Sequence, residues 1–585
     1  MAAIRTIFAL LPALAATLLA ACVPPPQGPG ELAPPRPAMA RAGQLDSAVV
    51  GERGLVSAAD PRAAEAGAEM LRLGGSATDA AIATMLALTV VEPQSSGIGG
   101  GGFFVIGDQG GVVATIDGRE TAPMAAGGDW FLQDGKPMSM AQAIPGGRSV
   151  GVPGNLRLAA EAHRAHGKLA WRTLFRPAIR LARDGFAITP RLNAALGQWP
   201  AAKVDPASRA LFFGADGQPL VAGTLVRNPA LAATLETLAA RGADSFYVGP
   251  NAQAIAAKVG TSPLNPAPLS SGDLASYDAK ERPPVCGNYR GYRICGMGPP
   301  TSGAIAVFAV LKQLERFDLS ALGPSSATSW HLIAESQRLA YADRARYLGD
   351  PDFVAVPVAG LMDEAYLAER SSLIAPDRAM GKVEAGQPKG ALALADPAPA
   401  EENGTSHFVA VDKWGSAVSY TSTIEAGFGS GLMVGGYFLN NELTDFDFVP
   451  VMDGRQVANR VEGGKRPRSS MAPTLVYGPD GRLVLMVGAA GGATIPMQVA
   501  KTLIGVIDWK LTAQQAIALP VLYSPGATVY VEKGSALEAL VPQLQALGHT
   551  VEVRGANYKA NAIERRGGRW IGAADPRSEG AAVAE

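Results

Sequence analysis

Apolar runs of different length alternate with polar or glycine-rich clusters along most of the chain. A long apolar run predicts a helix at residues 78–90, and an amphipathic pattern predicts another at residues 330–348. Shorter runs at residues 103–106, 408–411 and 417–423 predict strands. The polar and glycine-rich clusters lie at the ends of such runs. We therefore expect strand ends to bring side chains together around one site.

Glycines in the first hundred residues mark a helix end and a tight packing site. Asp60 is a good N-cap and Pro61 a good first helical residue, so a helix should begin there and end at Gly74. The run Gly97–Gly102 matches the dinucleotide pattern G-x-G-x-x-G, but a strand follows where a phosphate-binding helix should begin. We expect these glycines to permit close backbone packing instead.

Charge and histidine content limit the classes of partner and site that the protein is expected to have. The chain has 585 residues, with 51 Lys and Arg against 52 Asp and Glu, for a formal net charge of −1. This balance argues against nucleic acid as a partner and provides no polybasic membrane patch. The five histidines do not cluster with cysteines or acids at ligand spacing. We expect neither a metal site nor a cofactor.

The N-terminus predicts export. Residues 1–21 carry one early arginine and then an apolar run that is too short to span a membrane, as in a signal peptide. The run ends in Leu-Ala-Ala-Cys22, which resembles the bacterial lipobox and implies lipidation of Cys22. Residues 22–45 are rich in Pro and Gly and predict a flexible tether to the periplasmic face of a bacterial membrane. Ordinary cleavage with an incidental cysteine, giving a soluble periplasmic protein, is the alternative.

Thr405 is the candidate nucleophile. It follows Gly404 and a polar loop, and it begins a predicted strand. Cleavage of the Gly404–Thr405 bond would expose an α-amine with a pKa near ~8, which can serve as general base for the threonine hydroxyl. The alternative is that Thr405 and Ser406 open an ordinary edge strand.

Arg119 is the candidate ligand for a carboxylate. It lies at a predicted strand end beside Glu120, and its planar fork of donors fits a carboxylate. A surface ion pair is the alternative interpretation.

Cys286 and Cys295 flank a predicted hairpin around residues 288–291. They are the two cysteines that remain after lipidation of an exported protein, and we expect them to form a disulfide.

Nine motifs in order along residues 50–575 resemble those of the γ-glutamyltranspeptidases (glutathione hydrolases). They are Ser-Gly-Ile-Gly-Gly-Gly-Gly-Phe, Asp-Gly-Arg-Glu-Thr-Ala-Pro, Tyr-Arg-Gly-Tyr, Pro-Pro-Thr-Ser-Gly, Ala-Asp-Arg-Ala-Arg-Tyr-Leu-Gly-Asp-Pro, Gly-Thr-Ser-His, Asn-Asn-Glu-Leu-Thr-Asp-Phe, Arg-Pro-Arg-Ser-Ser-Met and Gly-Gly-Ala-Thr.

The resemblance implies an α/β fold, the four-layer αββα sandwich of N-terminal-nucleophile hydrolases. It implies autocleavage into a large chain of residues 46–404 and a small catalytic chain of residues 405–585, which stay together as an intertwined heterodimer. It also implies that Thr405 attacks the γ-glutamyl amide of glutathione or a related donor. The acyl-enzyme would then pass the γ-glutamyl group to water, an amino acid or a peptide.

The resemblance also assigns the other site residues. The backbone N–H groups of Gly491 and Gly492 would form the oxyanion hole, and Thr423 would bond near the nucleophile. One Arg and two hydroxyls would hold the donor α-carboxylate, and two acids would hold its α-ammonium. These residues are Arg119, Ser469 and Ser470 for the carboxylate, and Glu442 and Asp445 for the ammonium.

Two features depart from the family pattern. Glu425 stands where the family usually has Asn, which places a third acid beside the ammonium subsite. Residues 447–464, which correspond to the lid over the glutamyl pocket, form a shorter segment than in typical members and predict a more open pocket. A cephalosporin-acylase-like amidase is therefore the alternative activity, and a non-catalytic lipoprotein with the same fold is a third hypothesis.

Overall fold

The computed structural model describes residues 49–395, 404–555 and 558–585. The predicted signal peptide, Cys22 and the tether lie outside the described residues. Across the described ranges, no helix has both the length and the apolarity to cross a bilayer.

Two antiparallel sheets of seven strands each form the centre of the fold. Sheet I contains, in spatial order, Val50–Gly51, Arg569–Ala574, Lys559–Arg566, Leu483–Ala490, Thr474–Tyr477, Tyr292–Gly296 and Val285–Tyr289. Sheet II contains Ala581–Ala584, Leu55–Ala58, Ser406–Val411, Ala417–Thr423, Gly101–Gly107, Val113–Gly118 and Lys280–Arg282. The α/β class is confirmed.

The sheets pack face to face, and helices cover both outer faces. Sheet II lies under Pro61–Arg72, Ala77–Val91 and Asn155–His166, and sheet I lies under Gly303–Leu314, Ile495–Ile507 and Ala513–Ala518. Because both faces are covered, Ser406–Val411 and Ala417–Thr423 are buried at every position. This explains why residues 408–411 form an unbroken apolar run rather than an alternating pattern.

Further elements surround this core. The helices of six or more residues are Arg176–Asp184, Pro190–Gln198, Pro206–Phe212, Pro229–Arg241, Pro250–Gly260, Ala327–Tyr347, Glu364–Ser372 and Val541–Ala546. Short strand pairs are Leu132–Gln133 with Lys136–Pro137, Phe186–Ala187 with Leu225–Val226, Met433–Val434 with Tyr437–Phe438, and Val451–Met452 with Arg455–Gln456. A small three-stranded sheet contains Leu522–Tyr523, Thr528–Glu532 and Thr550–Arg554.

Helix starts follow the capping residues. The Asp60 carboxylate accepts from the Arg62 N–H, 2.8 Å away, and Pro61 is the first helical residue, as predicted. Ser76 and Asp79 form a capping box at the start of Ala77–Val91. The helix predicted at residues 330–348 begins three residues earlier, at Ala327, where Ser326 takes the N-cap position.

The glycine run packs as expected. A Cβ on Gly100 would lie 1.9 Å from the carbonyl oxygen of Thr423, and one on Gly99 would lie 1.9 Å from that of Phe438. Side chains are therefore excluded at both positions. The prediction of close backbone packing at these glycines is confirmed.

Cys286 and Cys295 face each other directly on adjacent strands of sheet I, and the structure joins them as a disulfide. The turn between these strands contains Arg290 and Gly291, both with positive φ, as a tight two-residue hairpin requires.

Candidate active site

Thr405 lies at the junction between Gly404 and a central strand of sheet II. Both residues have left-handed backbone conformations, with φ of 89° at Gly404 and 85° at Thr405. Glycine adopts this region freely, whereas a β-branched residue is strained there. The strained residue therefore adjoins the bond that the motif marks for cleavage.

Two segments hold Thr405. Its backbone N–H donates to the carbonyl oxygen of Ser95, 3.2 Å away. Its hydroxyl donates to the Thr423 Oγ1, 3.1 Å away. The Thr423 oxygen also accepts from the N–H of Glu425 at 2.8 Å. Thr423 Oγ1 thus accepts from both the Thr405 hydroxyl and the Glu425 N–H. Because the Thr405 hydroxyl acts as a donor in this contact, its lone pairs point away from Thr423, as a nucleophile needs.

Gly491 lies opposite the Gly404 carbonyl. Its N–H donates to the Gly404 carbonyl oxygen, 3.2 Å away. Gly491 and Gly492 follow the strand Leu483–Ala490 of sheet I, and both have positive φ, which turns the backbone at that strand end. The carbonyl that precedes Thr405 is therefore polarised by a fixed backbone donor.

Arg119 is buried, with 1% of its surface exposed, so the surface ion pair interpretation is wrong. Its two terminal nitrogens donate to the carboxylates of Glu442 and Asp445. Its Nε donates to the Pro467 carbonyl at 3.1 Å, and Nη2 donates also to the Arg468 carbonyl at 3.0 Å. The predicted carboxylate ligand and the two predicted ammonium ligands thus contact each other.

Glu120 adds a third acid beside this cluster. It is fully buried, and its carboxylate lies 3.9 Å from the Arg119 guanidinium. Its carboxyl group shares a side-chain hydrogen bond with that of Glu442. Burial raises the pKa of Glu120 to about 7. Burial also raises the pKa of Glu442 well above its ordinary value, although Arg119 opposes the shift. These acids therefore do not all carry charge at neutral pH.

Ser469 and Ser470 lie next to this cluster, on the segment whose carbonyls hold Arg119. Ser470 Oγ accepts from the Arg344 guanidinium at 2.6 Å, and Ser469 Oγ accepts from the Met471 N–H at 3.1 Å. Arg344 also donates to Ser302 Oγ at 2.8 Å. Because both serine oxygens already accept, their O–H groups can donate to an anion.

Glu425 lies in the same region. It has a positive φ of 73°, it is buried, and its carboxylate accepts from the Asn441 side-chain amide. Its charge contributes to the raised pKa of Glu442. Glu425 thus adds negative charge beside Glu442, as expected for an acid at this position.

The segment of residues 447–464 folds as a small hairpin that pairs Val451–Met452 with Arg455–Gln456. In the uncut chain the side chains of the candidate site remain buried, with 6% exposure at most. The more open pocket stays a prediction for the cleaved enzyme.

The structure brings together Thr405, Thr423, Gly491 and Gly404 at one point, and Arg119, Glu442, Asp445, Ser469 and Ser470 beside Arg344 at another. Sequence reasoning missed Ser95, Glu120 and Arg344 as site components. Glu120 and Arg344 belong to quoted motifs and Ser95 directly precedes one, so position in or beside a motif was the available signal. It also missed Lys559, which contacts Ser406 from 153 residues along the chain.

Comparisons with known proteins agree with this architecture. A family model described as γ-glutamyltranspeptidase matches residues 63–585. A glutathione hydrolase proenzyme of Bacillus subtilis (strain 168) is 38% identical over 91% of this chain and 92% of its own. An acylase ACY 1 proenzyme of Pseudomonas sp. (strain V22) is 35% identical over 91% and 94%. The crystal structure of cephalosporin acylase from Bacillus halodurans aligns with a TM-score of 0.82 at 26% identity, covering 95% of this chain and 99% of that one.

The fold and the site together define an enzyme built on two packed antiparallel sheets. The chain belongs to the γ-glutamyltranspeptidase family.

Proposed function

We propose that this protein cuts its own Gly404–Thr405 bond and then hydrolyses or transfers γ-glutamyl groups through an acyl-enzyme on Thr405. One observation carries the proposal. The Gly404 carbonyl accepts from the Gly491 N–H while the Thr405 hydroxyl and N–H are held by Thr423 and Ser95. The bond to be cut and the donors that its reaction needs are already assembled.

In the autocleavage step, the Thr405 hydroxyl oxygen adds to the Gly404 carbonyl carbon, and negative charge develops on the carbonyl oxygen. The Gly491 N–H stabilises that charge. The C–N bond then breaks, the Thr405 nitrogen takes a proton, and an ester joins Gly404 to the Thr405 oxygen. Water hydrolyses the ester and releases two chains, which relieves the strained backbone at Thr405.

The product carries the catalytic group. Thr405 now has a free α-amine beside its own hydroxyl, and the neutral amine can accept the hydroxyl proton as the oxygen attacks a γ-glutamyl carbonyl. The N–H groups of Gly491 and Gly492 would then hold the oxyanion of the donor. Hydrolysis releases glutamate, whereas attack by an amino acid or peptide amine gives the transfer product.

The pocket suits a zwitterion. The donor α-carboxylate would bind Arg119, Ser469 and Ser470, and its ammonium would bind Glu442 and Asp445. Since Arg119 contacts both acids, the donor must replace these two ion pairs. Its carboxylate takes the place of the acids on Arg119, and its ammonium binds the acids that are released.

An amidase of the cephalosporin acylase type is the second candidate. The fold likeness to a cephalosporin acylase favours it, and so does the short hairpin at residues 447–464. A bulky acyl group needs a pocket that is not closed by a long lid.

We further propose that the chain is exported and anchored through lipid on Cys22, with residues 22–45 as the tether. The lipobox-like sequence supports this, as does a cysteine pair suited to an oxidising compartment.

The test is purification of the mature protein, a denaturing gel and N-terminal sequencing, followed by assays with a chromogenic γ-glutamyl anilide and a cephalosporin. Two bands, with Thr405 as the first residue of the smaller, and turnover of the anilide are expected. A single full-length band without activity would support the non-catalytic lipoprotein. Turnover of the cephalosporin alone would support the amidase.

A further inference from the structure

A buried ammonium lies behind the nucleophile. Lys559 is 2% exposed and is the first residue of its strand in sheet I. Its Nζ lies 2.9 Å from both carboxylate oxygens of Glu92, 3.1 Å from Ser95 Oγ and 3.3 Å from Ser406 Oγ. Ser406 Oγ in turn donates to Glu92 at 2.6 Å. Lys559 and Glu92 thus form an ion pair that is hydrogen-bonded to the hydroxyls of Ser95 and Ser406.

Both serines adjoin the nucleophile. Ser406 follows Thr405 directly, and the Ser95 carbonyl accepts the Thr405 N–H at 3.2 Å. The same N–H becomes part of the catalytic α-amine once the chain is cut. The Ser95 carbonyl, which will orient the amine, is therefore already in place before the chain is cut. Lys559 holds Ser95 through its hydroxyl.

The ion pair also adjoins the oxyanion donors. In sheet I, Lys559 pairs with Ala490, the residue immediately before Gly491. Glu92 caps the C-terminal end of the helix Ala77–Val91, on the outer side of sheet II. The contact between Lys559 and Glu92 therefore connects the segments that position the Thr405 hydroxyl, its α-amine and the oxyanion hole.

Stability alone gives a weak reason for this pair. Removing two charges from water is costly, and apolar residues of similar volume often replace a buried ion pair at no loss of stability. Direct contact with both neighbours of the nucleophile is a more specific reason for its location.

We propose that Lys559, paired with Glu92, is a positioning residue for the α-amine of Thr405. It fixes Ser95 and Ser406 so that the amine donates one N–H to the Ser95 carbonyl and directs its lone pair at its own hydroxyl. This inference rests on the proposed use of Thr405 as a nucleophile with its amine as base. Lys559 contacts no substrate atom and acts only through its neighbours.

The proposal has a pH consequence. The charged groups that face Lys559 are Glu92, Arg191 on the helix Pro190–Gln198, and Glu579 before the last strand of sheet II. Burial lowers the pKa of Lys559 to about 8, with Arg191 acting in the same direction and Glu92 opposing it. Below that pH the ammonium holds Glu92 and both serines. Above it the neutral amine loses its charge–charge contact, so kcat should fall.

The decisive variant is Lys559→Met, which keeps the length of the side chain and removes its donors. Lys501→Met is the matched control, because Lys501 is also a buried lysine and donates only to the carbonyls of Ile517 and Leu519. With saturating γ-glutamyl anilide, we expect Lys559→Met to lower kcat by about 10- to 100-fold, the size of a misplaced catalytic group. KM should stay near the wild-type value, and autocleavage should slow as well.

The pH profile separates positioning from general damage. Wild-type kcat at saturating donor should rise as the Thr405 α-amine loses its proton and fall at higher pH as Lys559 loses its own. Lys501→Met should keep this alkaline fall, and Lys559→Met should lose it. Lys559→Met with unchanged kcat, or with the alkaline fall retained, overturns the proposal. If Lys559→Met does not fold, Lys559→Gln decides by the same two readouts. An uncut, inactive wild type would refute the proposed function instead.

Discussion

The N–H of Gly491 donates to the carbonyl oxygen of Gly404 across the two sheets, at 3.2 Å. Gly491 belongs to the loop after a sheet I strand, and Gly404 precedes a sheet II strand. In the uncut chain this donor polarises the protein's own peptide bond. In the cleaved enzyme the Gly404 carbonyl has left, and a donor carbonyl can take its position. One backbone donor can therefore serve both reactions.

Thr405→Ala should leave a single chain of full mature length without activity, because the hydroxyl that attacks is absent. Thr405→Ser is the matched control and should still be cut, since it keeps the hydroxyl. Denaturing gels and mass spectrometry measure both results. Two chains from Thr405→Ala would refute the assignment of the cleavage nucleophile.

Arg119→Lys should raise KM for a γ-glutamyl donor by at least about tenfold and leave autocleavage intact. Lysine keeps the charge but loses the fork that contacts Glu442, Asp445 and two carbonyls at once. Steady-state kinetics on the two-chain product give the answer. An unchanged KM would mean that Arg119 only neutralises the acids and does not bind the donor.

Glu425→Asn should shift the acid limb of kcat/KM to lower pH. Burial raises the pKa of Glu442, and the charge of Glu425 adds to the rise. Without that charge the pKa of Glu442 falls, so its ionised form, which binds the donor ammonium, persists to lower pH. KM should also fall, because a like charge near the donor carboxylate is removed.

Glu425→Gln is the control for this change. It removes the same charge but keeps the length and an acceptor for the Asn441 amide. Both variants should shift the limb in the same direction. If the acid limb of kcat/KM moves in neither variant, Glu425 does not act on the donor site through its charge.

Cys286 and Cys295 should be oxidised in protein purified from its native envelope. Replacing both by Ser should lower the free energy of unfolding by about 2–3 kcal/mol, since the closed loop is short. Mass spectrometry without reduction measures the pairing, and denaturant unfolding measures its effect. Two free thiols in the native protein would contradict the assignment.

Sequence patterns predicted the elements whose signal is local. The cap at Asp60 and the strand Ala417–Thr423 depend on neighbouring residues, and the structure confirms them. The close packing at Gly100 was predicted from the glycine run, although its partner, the Thr423 carbonyl, lies far along the chain. The contact of Arg119 with Glu442 and Asp445 was not predicted, because each was assigned to a different part of an absent donor. Nothing in the local sequence connects Lys559 with Glu92, since their contact depends on how the two sheets pack.

The order of strands in the two sheets affects how the protein can refold after cleavage. In sheet II, Ser406–Val411 lies against Leu55–Ala58, and Ala417–Thr423 lies against Gly101–Gly107. Sheet I likewise contains strands from both sides of the predicted cleavage site. Before cleavage, refolding is unimolecular. Afterwards the same sheets require two molecules to meet, so recovery from denaturation should depend on concentration and be slow. The two-chain form should therefore refold more slowly than the uncut chain when both are diluted after denaturation.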